Sequence, residues 1–259
     1  MTASQPSIAL VAEDTYRICI PMPDLMPGGF SFNQYLVVDD KPLLFHTGPK
    51  KLFPLVREQI EKVLPLARLR YVAFSHYEAD ECGSLPEFLA AAPQAQPVCS
   101  RVAAMIAIGD QVDVPAVAME DGEVLSLGRH EVVWQSTPHL PHGWECGYLF
   151  DRTTGTLFCG DLFTQPGTGG EPVTSADILS PSEAFRAQED YFSHSRNAGS
   201  MLEKLAQLKP RVLACMHGSA WRGDGRPAAP AGRGARTGLR KRKGLRRALC
   251  LGDEACGPR

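Results

Sequence analysis

The feature that most constrains this 259-residue chain is a cluster of acidic and imidazole side chains directly after an apolar run. The run LRYVAF is typical of a buried strand, and the residues that follow, SHYEADE, contain His76, Glu78, Asp80 and Glu81. Charged groups beside a hydrophobic core are costly unless they are paired or bind a metal. Open α/β sheets place ligand sites at the carboxyl ends of their strands. The stretch therefore predicts a metal site at a strand end in preference to a structural acidic loop.

Strand and helix patterns alternate over the first 221 residues, which predicts an α/β domain. The segment KKLFPLVREQIEKVLP has apolar residues three and four positions apart, as in an amphipathic helix, and Pro65 should stop it. YRICIPM and the hairpin FNQYLVVDDKPLLFHTG predict an N-terminal antiparallel sheet. Two further hairpins are expected in EVLSLGRHEVVWQSTP and GYLFDRTTGTLFCGDLF. PSEAFRAQEDYFSHSRNAGSMLEKLAQLKP should be largely helical, and RVLACMHGSA should form a final buried strand that ends at His217.

Other strand ends carry further candidate metal ligands. STPHLPHGWE contributes two histidines, FCGDLF contributes Asp161, and CMHGS contributes His217. Rigid strands hold ligand positions more precisely than loops do. Alternate residues of an extended segment point the same way, so His76, Glu78 and Asp80 should converge, and Glu81 should join them only if the chain turns there. With Asp161 as a bridge, the set has enough donors for two metal ions.

The donor types also bear on which metal binds. Glu78 and Glu81 make the set rich in hard oxygen donors, which favours iron or manganese over zinc, while several histidines argue against magnesium. We expect two iron ions, with zinc or manganese as alternatives.

Taken in order, the motifs SHYEADE, STPHLPHGW, LFCGDLF and CMHG resemble the metallo-β-lactamase superfamily over roughly residues 15–221. Glu78 turns the first motif into H-x-E-x-D, which resembles the diiron domains of flavodiiron proteins and of the related oxygen-binding diiron proteins. The resemblance implies an αββα sandwich of the metallo-β-lactamase type, with two mixed sheets flanked by helices. It also implies the following metal ligands: His76, Glu78 and His142 on one iron, Asp80, position 81 and His217 on the other, and Asp161 bridging both.

This chain departs from the family pattern in three places. The family usually has histidine where this chain has Glu81, so that carboxylate is either an oxygen ligand or lies outside the ligand set. TPHLPHGW offers two histidines, and we favour His142 as the ligand because GWE matches the start of the next segment, which leaves His139 a supporting role. His46 stands where many superfamily members have an aspartate, and it either supports a ligand or is a plain turn histidine.

Several neighbouring residues have a functional and a structural interpretation. Trp144 is a candidate wall of the pocket or an ordinary core residue, and His194 is a candidate for its entrance or a helix-surface residue. We expect His130, in a hairpin turn, to be exposed to solvent. We expect Cys82 to be a packing residue, since no base accompanies it in the sequence.

Three functions are compatible with this site. Two ferrous ions would bind and reduce dioxygen or nitric oxide, two zinc ions would hydrolyse an ester, thioester or lactone, and a site without turnover would act as an oxygen sensor. No flavodoxin-like pattern follows residue 221, so reduction would need an external electron donor such as a flavoprotein or a rubredoxin-like protein. A homodimer is a further expectation.

Composition changes abruptly after residue 221. Residues 222–259 contain eleven Lys and Arg against three Asp and Glu and are rich in Gly, Ala and Pro, although the whole chain carries a net charge of −2. We expect this basic tail to be disordered or to result from a shifted reading frame, and its single charge run is weak support for nucleic-acid binding. No long apolar run or secretory signal is visible, and the eight cysteines form no C-x-x-C pair. These features predict a soluble, cytoplasmic protein with no membrane association.

Overall fold

Over residues 5–223, two seven-stranded β-sheets pack face to face, and helices cover their outer surfaces. The computed structural model describes residues 5–223. The strands are β1 Ser7–Ala12, β2 Thr15–Met22, β3 Phe30–Val37, β4 Leu43–Phe45, β5 Tyr71–Ala73, β6 Gln96–Ser100, β7 Val117–Met119, β8 Val124–Ser126, β9 Glu131–Ser136, β10 Gly147–Asp151, β11 Thr156–Phe158, β12 Val173–Thr174, β13 Val212–Ala214 and β14 Ala220–Arg222. The helices are α1 Phe53–Glu61, α2 Ala79–Cys82, α3 Leu85–Ala91, α4 Arg101–Ala103, α5 Gly109–Gln111, α6 Leu179–Glu189 and α7 Ala198–Gln207, with a π-helical turn at Ala104–Ile108 between α4 and α5 and short 3₁₀ turns at Lys50–Leu52 and Leu66–Arg68.

Both sheets mix parallel and antiparallel pairs. In the first sheet the strands lie in chain order from β1 to β7; β1 to β4 pair antiparallel, and β4 to β7 pair parallel. The second sheet has the order β12, β14, β13, β11, β10, β9, β8, and the pairs β12–β14 and β11–β13 are its parallel ones. The fold is therefore the αββα sandwich that the sequence resemblance implied.

Three apolar layers hold this arrangement together. The layer between the sheets contains aromatic residues from both sides, and the rings of Phe45 and Phe158 have centroids 5.3 Å apart. A second layer packs α1 and α3 onto the outer face of the first sheet, and a third packs α7 onto the second sheet. Full burial of one large apolar side chain contributes about 1.5–3 kcal/mol, so each of these layers stabilises the fold.

The main elements predicted from the sequence are present, with three corrections. RVLACMHGSA is not the last strand and does not extend to His217, because β13 ends at Ala214 and β14 follows it. The stretch predicted as largely helical is two helices separated by residues 190–197. His130 is buried, not exposed, because its Nδ1 lies 2.9 Å from Oδ2 of Asp151 in the adjacent hairpin.

The boundary predicted at residue 221 falls inside β14, whose Arg222 contacts the carbonyl of Val11. Beyond residue 223, the prediction of a disordered or frame-shifted tail lies outside the described residues. Within residues 5–223, no helix combines the length and apolar character needed to cross a membrane.

Candidate metal centre

The candidate ligands meet at one edge of the sandwich, where strands from both sheets end. His76 follows β5 of the first sheet, while Asp161 follows β11 and His217 follows β13 of the second. His142 lies in the loop between β9 and β10. Since β5 lies in a parallel run, its carboxyl end points to the edge where α/β folds bind ligands.

The chain turns within the first motif, which corrects the expectation that His76, Glu78 and Asp80 alternate along an extended segment. Glu78 is still extended, with φ −134° and ψ 164°, but α2 begins at the next residue. Thr47 and Gly48 donate their backbone N–H groups to the carbonyls of Glu81 and Asp80, at 2.8 and 3.0 Å. This turn brings Glu81 into the cluster. A turn at this point was the condition that the sequence set for Glu81 to join the other donors.

One group of donor atoms surrounds a common point. The Nε2 atoms of His76 and His142 are 2.9 Å apart, and Oε1 of Glu78 lies 3.1 Å from Nε2 of His142. Asp161 Oδ2 lies 3.5 and 3.4 Å from the two imidazole nitrogens. These four side chains have one donor atom each within 4.8 Å of all the others.

A second group lies on the other side of Asp161. Its Oδ1 is 3.2 Å from Nε2 of His217, which in turn lies 3.6 Å from Oδ2 of Asp80. Asp80, Glu81 and Glu78 form another set of carboxylates close enough to share an ion. One carboxylate, that of Asp161, therefore faces both groups.

Backbone carbonyls orient two of the histidines. Nδ1 of His142 lies 2.8 Å from the carbonyl of Tyr191, and Nδ1 of His217 lies 2.8 Å from the carbonyl of Ser31. A carbonyl only accepts, so each Nδ1 carries the proton and each Nε2 of a neutral imidazole keeps its lone pair toward the cluster. Metal-binding histidines are held in this way in proteins generally.

Burial and mutual charge set the protonation of the carboxylates. Contacts with the imidazoles of His142 and His76 lower the pKa of Glu78 to about 2. Burial opposes the ionisation of Asp161, but the imidazole of His217 beside it, together with those of His76 and His142, outweighs burial and holds its pKa below the usual value. Glu81 differs, because burial and the charge of Asp161 raise its pKa well above the usual value. The cluster thus holds one carboxyl group that its protein surroundings do not stabilise as an anion.

The residues present fit a pair of metal ions. Ligand atoms held about 2.1 Å from one ion are roughly 3.0–3.4 Å apart, close to the separations around His76 and His142. Both oxygens of Glu81 are buried and have no hydrogen-bond partner among the described residues, and neither has Oδ1 of Asp161. A buried carboxylate without a partner carries a large desolvation cost, which a bound cation would offset.

The remaining predicted residues lie around this cluster. His139 is exposed, whereas His142 points into the donor group. His46 is buried, with Nε2 3.0 Å from Ser75 Oγ. Trp144 is 54% exposed beside His142, and His194 is exposed in the break between α6 and α7, 2.8 Å from Asp190. A wall role for Trp144 and an entrance role for His194 stay predictions.

Cys82 has the environment of a packing residue. Its side chain is buried, and burial raises the pKa of the thiol to about 12. A protonated thiol is neither a metal ligand nor a nucleophile at neutral pH.

The sequence did not predict the residues that hold the candidate ligands in place through hydrogen bonds. Glu145 accepts the backbone N–H of Tyr77 at 2.9 Å and so ties the His76 segment to the His142 loop. Tyr191 supplies its carbonyl to His142 and donates its hydroxyl to the carbonyl of Asp161 at 3.1 Å. A backbone carbonyl that accepts a hydrogen bond leaves no signature in a sequence. The one available signal was Glu145, the acidic residue of GWE.

A match to a family model defines the class of protein to which this fold and site belong. The model described as ODP family beta lactamase matches residues 30–218, most of the described chain. The chain therefore belongs to the ODP family of beta-lactamase-like proteins, in agreement with the resemblance carried by its motifs.

Individual relatives are similar over this domain. A rubredoxin-oxygen oxidoreductase from Megalodesulfovibrio gigas is 26% identical over 77% of this chain and 51% of its own length. A nitric oxide reductase from Moorella thermoacetica is 22% identical over 76% of this chain and 51% of its own length. Diflavin flavoprotein A 1 from Synechocystis is 27% identical over 53% of this chain and 24% of its own length. The chain thus spans about half the length of these relatives or less.

Solved structures share the fold. The metal-soaked Flv1 flavodiiron core from Synechocystis superposes with a TM-score of 0.73 at 24% identity, covering 95% of this chain and 61% of that one. A flavo di-iron protein variant from Thermotoga maritima gives a TM-score of 0.77 at 19% identity, with 95% and 61% coverage. At such identities the likeness concerns the fold alone.

Proposed function

We propose that this chain is a diiron oxidoreductase domain that binds dioxygen or nitric oxide and reduces it with electrons from a separate donor. The observation that carries the proposal is the buried Asp161 carboxylate, which faces His76 and His142 with one oxygen and His217 with the other. The printed names of two relatives, a rubredoxin-oxygen oxidoreductase and a nitric oxide reductase, support the same chemistry.

The proposed ligand set follows the two donor groups. We assign His76, Glu78 and His142 to one ion, and Asp80, Glu81 and His217 to the other. Asp161 bridges them. Each histidine binds through Nε2, because the Nδ1 atoms of His142 and His217 face carbonyls and the Nε2 of His76 faces the first group.

Charge in the site favours iron that can leave the ferrous state. Four carboxylates balance the four positive charges of two divalent ions, so a rise in metal charge would leave much less net positive charge in the site than it would among neutral imidazoles alone. Such an oxygen-rich donor set favours iron or manganese over zinc. Two ferrous ions, when bound, supply electrons to the diatomic ligand. Reduction of dioxygen to two waters takes four electrons and four protons, so turnover requires a reductant, for which a flavoprotein or a rubredoxin-like protein is suitable.

The surrounding protein positions the ligand side chains and excludes water from the site. His76 is buried, which removes water from one side of the first donor group. Phe30 covers the imidazole of His217, with ring centroids 4.3 Å apart. Apolar walls around a metal site limit solvent access and strengthen the electrostatic interactions inside it.

Neither alternative function has comparable support. A zinc hydrolase would use the same ligands, but two of the relatives named above are a rubredoxin-oxygen oxidoreductase and a nitric oxide reductase, and none is named as a hydrolase. A sensor without turnover would bind the gas and consume none. Cytoplasmic location and assembly as a homodimer stay predictions.

The test compares two histidines of one loop, three positions apart, in a gas-consumption assay. The full chain, loaded anaerobically with iron and supplied with a chemically reduced flavoprotein or rubredoxin, should consume dioxygen or nitric oxide, as measured with gas-sensitive electrodes. His142→Ala should lower the rate at least about 100-fold, because an essential ligand of a catalytic metal is lost. The matched control His139→Ala, at the exposed position directly after Pro138, should retain the rate.

Two results would contradict this function. One is a loaded wild-type chain that consumes neither gas but hydrolyses thioesters or lactones once zinc replaces iron. The other is gas binding visible in the absorption spectrum with no consumption in the presence of reductant, which would make the chain a sensor.

A further inference from the structure

His46 lies at the junction of two of the ligand-bearing segments. It follows β4, is 1% exposed and has the positive φ of 68°. Nε2 of its ring is 3.0 Å from Oγ of Ser75, and Nδ1 is 2.9 Å from Sδ of Met216. Ser75 immediately precedes His76, and Met216 immediately precedes His217.

We propose that His46 is a positioning residue that acts through Ser75 to fix which nitrogen of His76 carries the proton. The inference deepens the proposed function, since it concerns how one ligand of that site is prepared for a metal. It rests on a chain of contacts from Met216 through His46 and Ser75 to His76.

Met216 determines which nitrogen of His46 carries the proton. A thioether sulfur has no proton and only accepts, so the Nδ1 atom of His46 beside it carries a proton. A neutral imidazole has a single N–H, so Nε2 of His46 must be an acceptor. Burial lowers the pKa of His46 well below its usual value, which keeps the ring neutral.

Through its hydroxyl, Ser75 links the protonation of His46 to that of His76. Its hydroxyl has one proton, which it donates in a hydrogen bond to Nε2 of His46 at 3.0 Å. The Ser75 oxygen is then an acceptor for Nδ1 of His76, also at 3.0 Å. Nδ1 of His76 therefore carries the proton, and its Nε2 keeps a lone pair toward His142, Glu78 and Asp161.

The opposite order of donors would disable the ligand. If Nε2 of His46 carried the proton, the Ser75 hydroxyl would turn toward His76, and Nε2 of His76 would be protonated and unable to bind a metal. An aspartate at position 46 would also accept from Ser75, but it would add a fifth carboxylate beside the four already in the site. Histidine gives the same order without additional negative charge.

Ser75 is held in place by its surroundings. The carbonyl of Ser75 accepts the backbone N–H of Gly147 at 2.9 Å. A Cβ atom on Gly160 would lie 3.0 Å from Ser75 Oγ, so Gly160 and Ser75 are tightly packed. The hydroxyl thus has little freedom to leave its position between the two imidazoles.

The test is a tautomer measurement on the full chain with ¹⁵N-labelled histidine, loaded with diamagnetic zinc. Long-range ¹H–¹⁵N correlation spectra should show a protonated Nδ1 and an unprotonated Nε2 at His46. Ser75→Ala should weaken the binding of one of the two zinc ions about 10- to 100-fold, the usual effect of removing an outer partner of a ligating histidine. Met216→Leu keeps the apolar volume but removes the acceptor, so both tautomers of His46 should appear.

Controls come from matched buried residues elsewhere in the fold. Ser100→Ala removes a hydroxyl that accepts the backbone N–H of Ala103, and Met119→Leu changes a methionine between the sheets. Both should leave the tautomer of His46 and the affinities of both zinc ions unchanged, even if they lower the melting temperature. Such a result separates a positioning role from a general loss of stability.

Either of two results would overturn the inference alone: a protonated Nε2 at His46 in the wild-type chain, or Ser75→Ala binding both zinc ions as tightly as wild type. A wild-type chain that binds no metal would overturn the proposed function together with it.

Discussion

Glu81 has the environment that is hardest to satisfy without a metal ion. Its side chain is fully buried, neither oxygen has a hydrogen-bond partner among the described residues, and Asp161 adds a like charge nearby. The nearest imidazole nitrogen, Nε2 of His76, is 3.9 Å away. A metal ion would remove both the desolvation cost and the repulsion, so the same residue should destabilise the empty site and strengthen the occupied one.

Glu81→Gln should therefore act in opposite directions in the two states. It keeps the shape and removes the charge, so the metal-free chain should gain about 1–3 kcal/mol in its free energy of unfolding. The affinity for the second metal ion should fall by at least about 10-fold. Urea denaturation with and without chelator, together with metal titration, measures both effects.

The exposed Glu171→Gln is the control, and it should leave stability and affinity unchanged. A Glu81→Gln variant that is less stable than wild type without metal would contradict the desolvation cost, and one that binds two ions with unchanged affinity would mean that Glu81 is not a ligand. Glu81→His should recover the lost affinity, because an imidazole is also a donor.

At the level of strands and helices, the sequence predicted the long and strongly patterned elements. The hairpins of the second half and the amphipathic α1 were recognisable because their apolar spacing repeats over many residues. The strands β7, β12 and β14 have two or three residues each, too few for an alternation to stand out. Their pairing depends on contacts between segments distant in the sequence.

The candidate site was predictable to a similar extent. The ligand types and their order along the chain indicated a two-metal site, because strand ends bring such residues together. The turn at α2 and the break after α6 were not predictable, since tertiary hydrogen bonds from Thr47 and to Pro141 determine them. The role of His46 depends on Met216, which is 170 positions away.

Asp39 ties two hairpin turns together. Its Oδ2 accepts the backbone N–H of His130 at 2.7 Å, and its Oδ1 accepts that of Asp40 at 2.8 Å. Partial burial opposes ionisation, but these hydrogen bonds outweigh it and lower the pKa below the usual 3.8. The contribution of Asp39 to stability is therefore present above about pH 3.8 and is lost as the pH falls through the lower folded-state pKa.

Asp39→Asn should lower the free energy of unfolding at pH 7 by about 1 kcal/mol, because an amide accepts with only one of its two terminal atoms. The difference from wild type should shrink as the pH falls below about 4. Urea denaturation across this range measures it, with the exposed Asp40→Asn as control. A difference that is constant with pH would show that the charge of Asp39 is irrelevant.

For the whole molecule, the candidate metal site lies where the two sheets meet. His76 comes from the first sheet, and His142, Asp161 and His217 come from the second. Ions bound between them would link the halves of the sandwich and stabilise the folded state in proportion to their affinity. The αββα fold alone does not choose between hydrolysis and reduction, so the identity of the metal decides the chemistry.

A diiron site in this chain is tested by the metal content and absorption spectrum of the full chain, purified without oxygen after expression with iron and then exposed to air. We predict about two iron ions per chain and a new charge-transfer band on oxygenation, because the carboxylate-rich donor set favours iron. Two zinc ions per chain and a spectrum that does not change in air would contradict a diiron site.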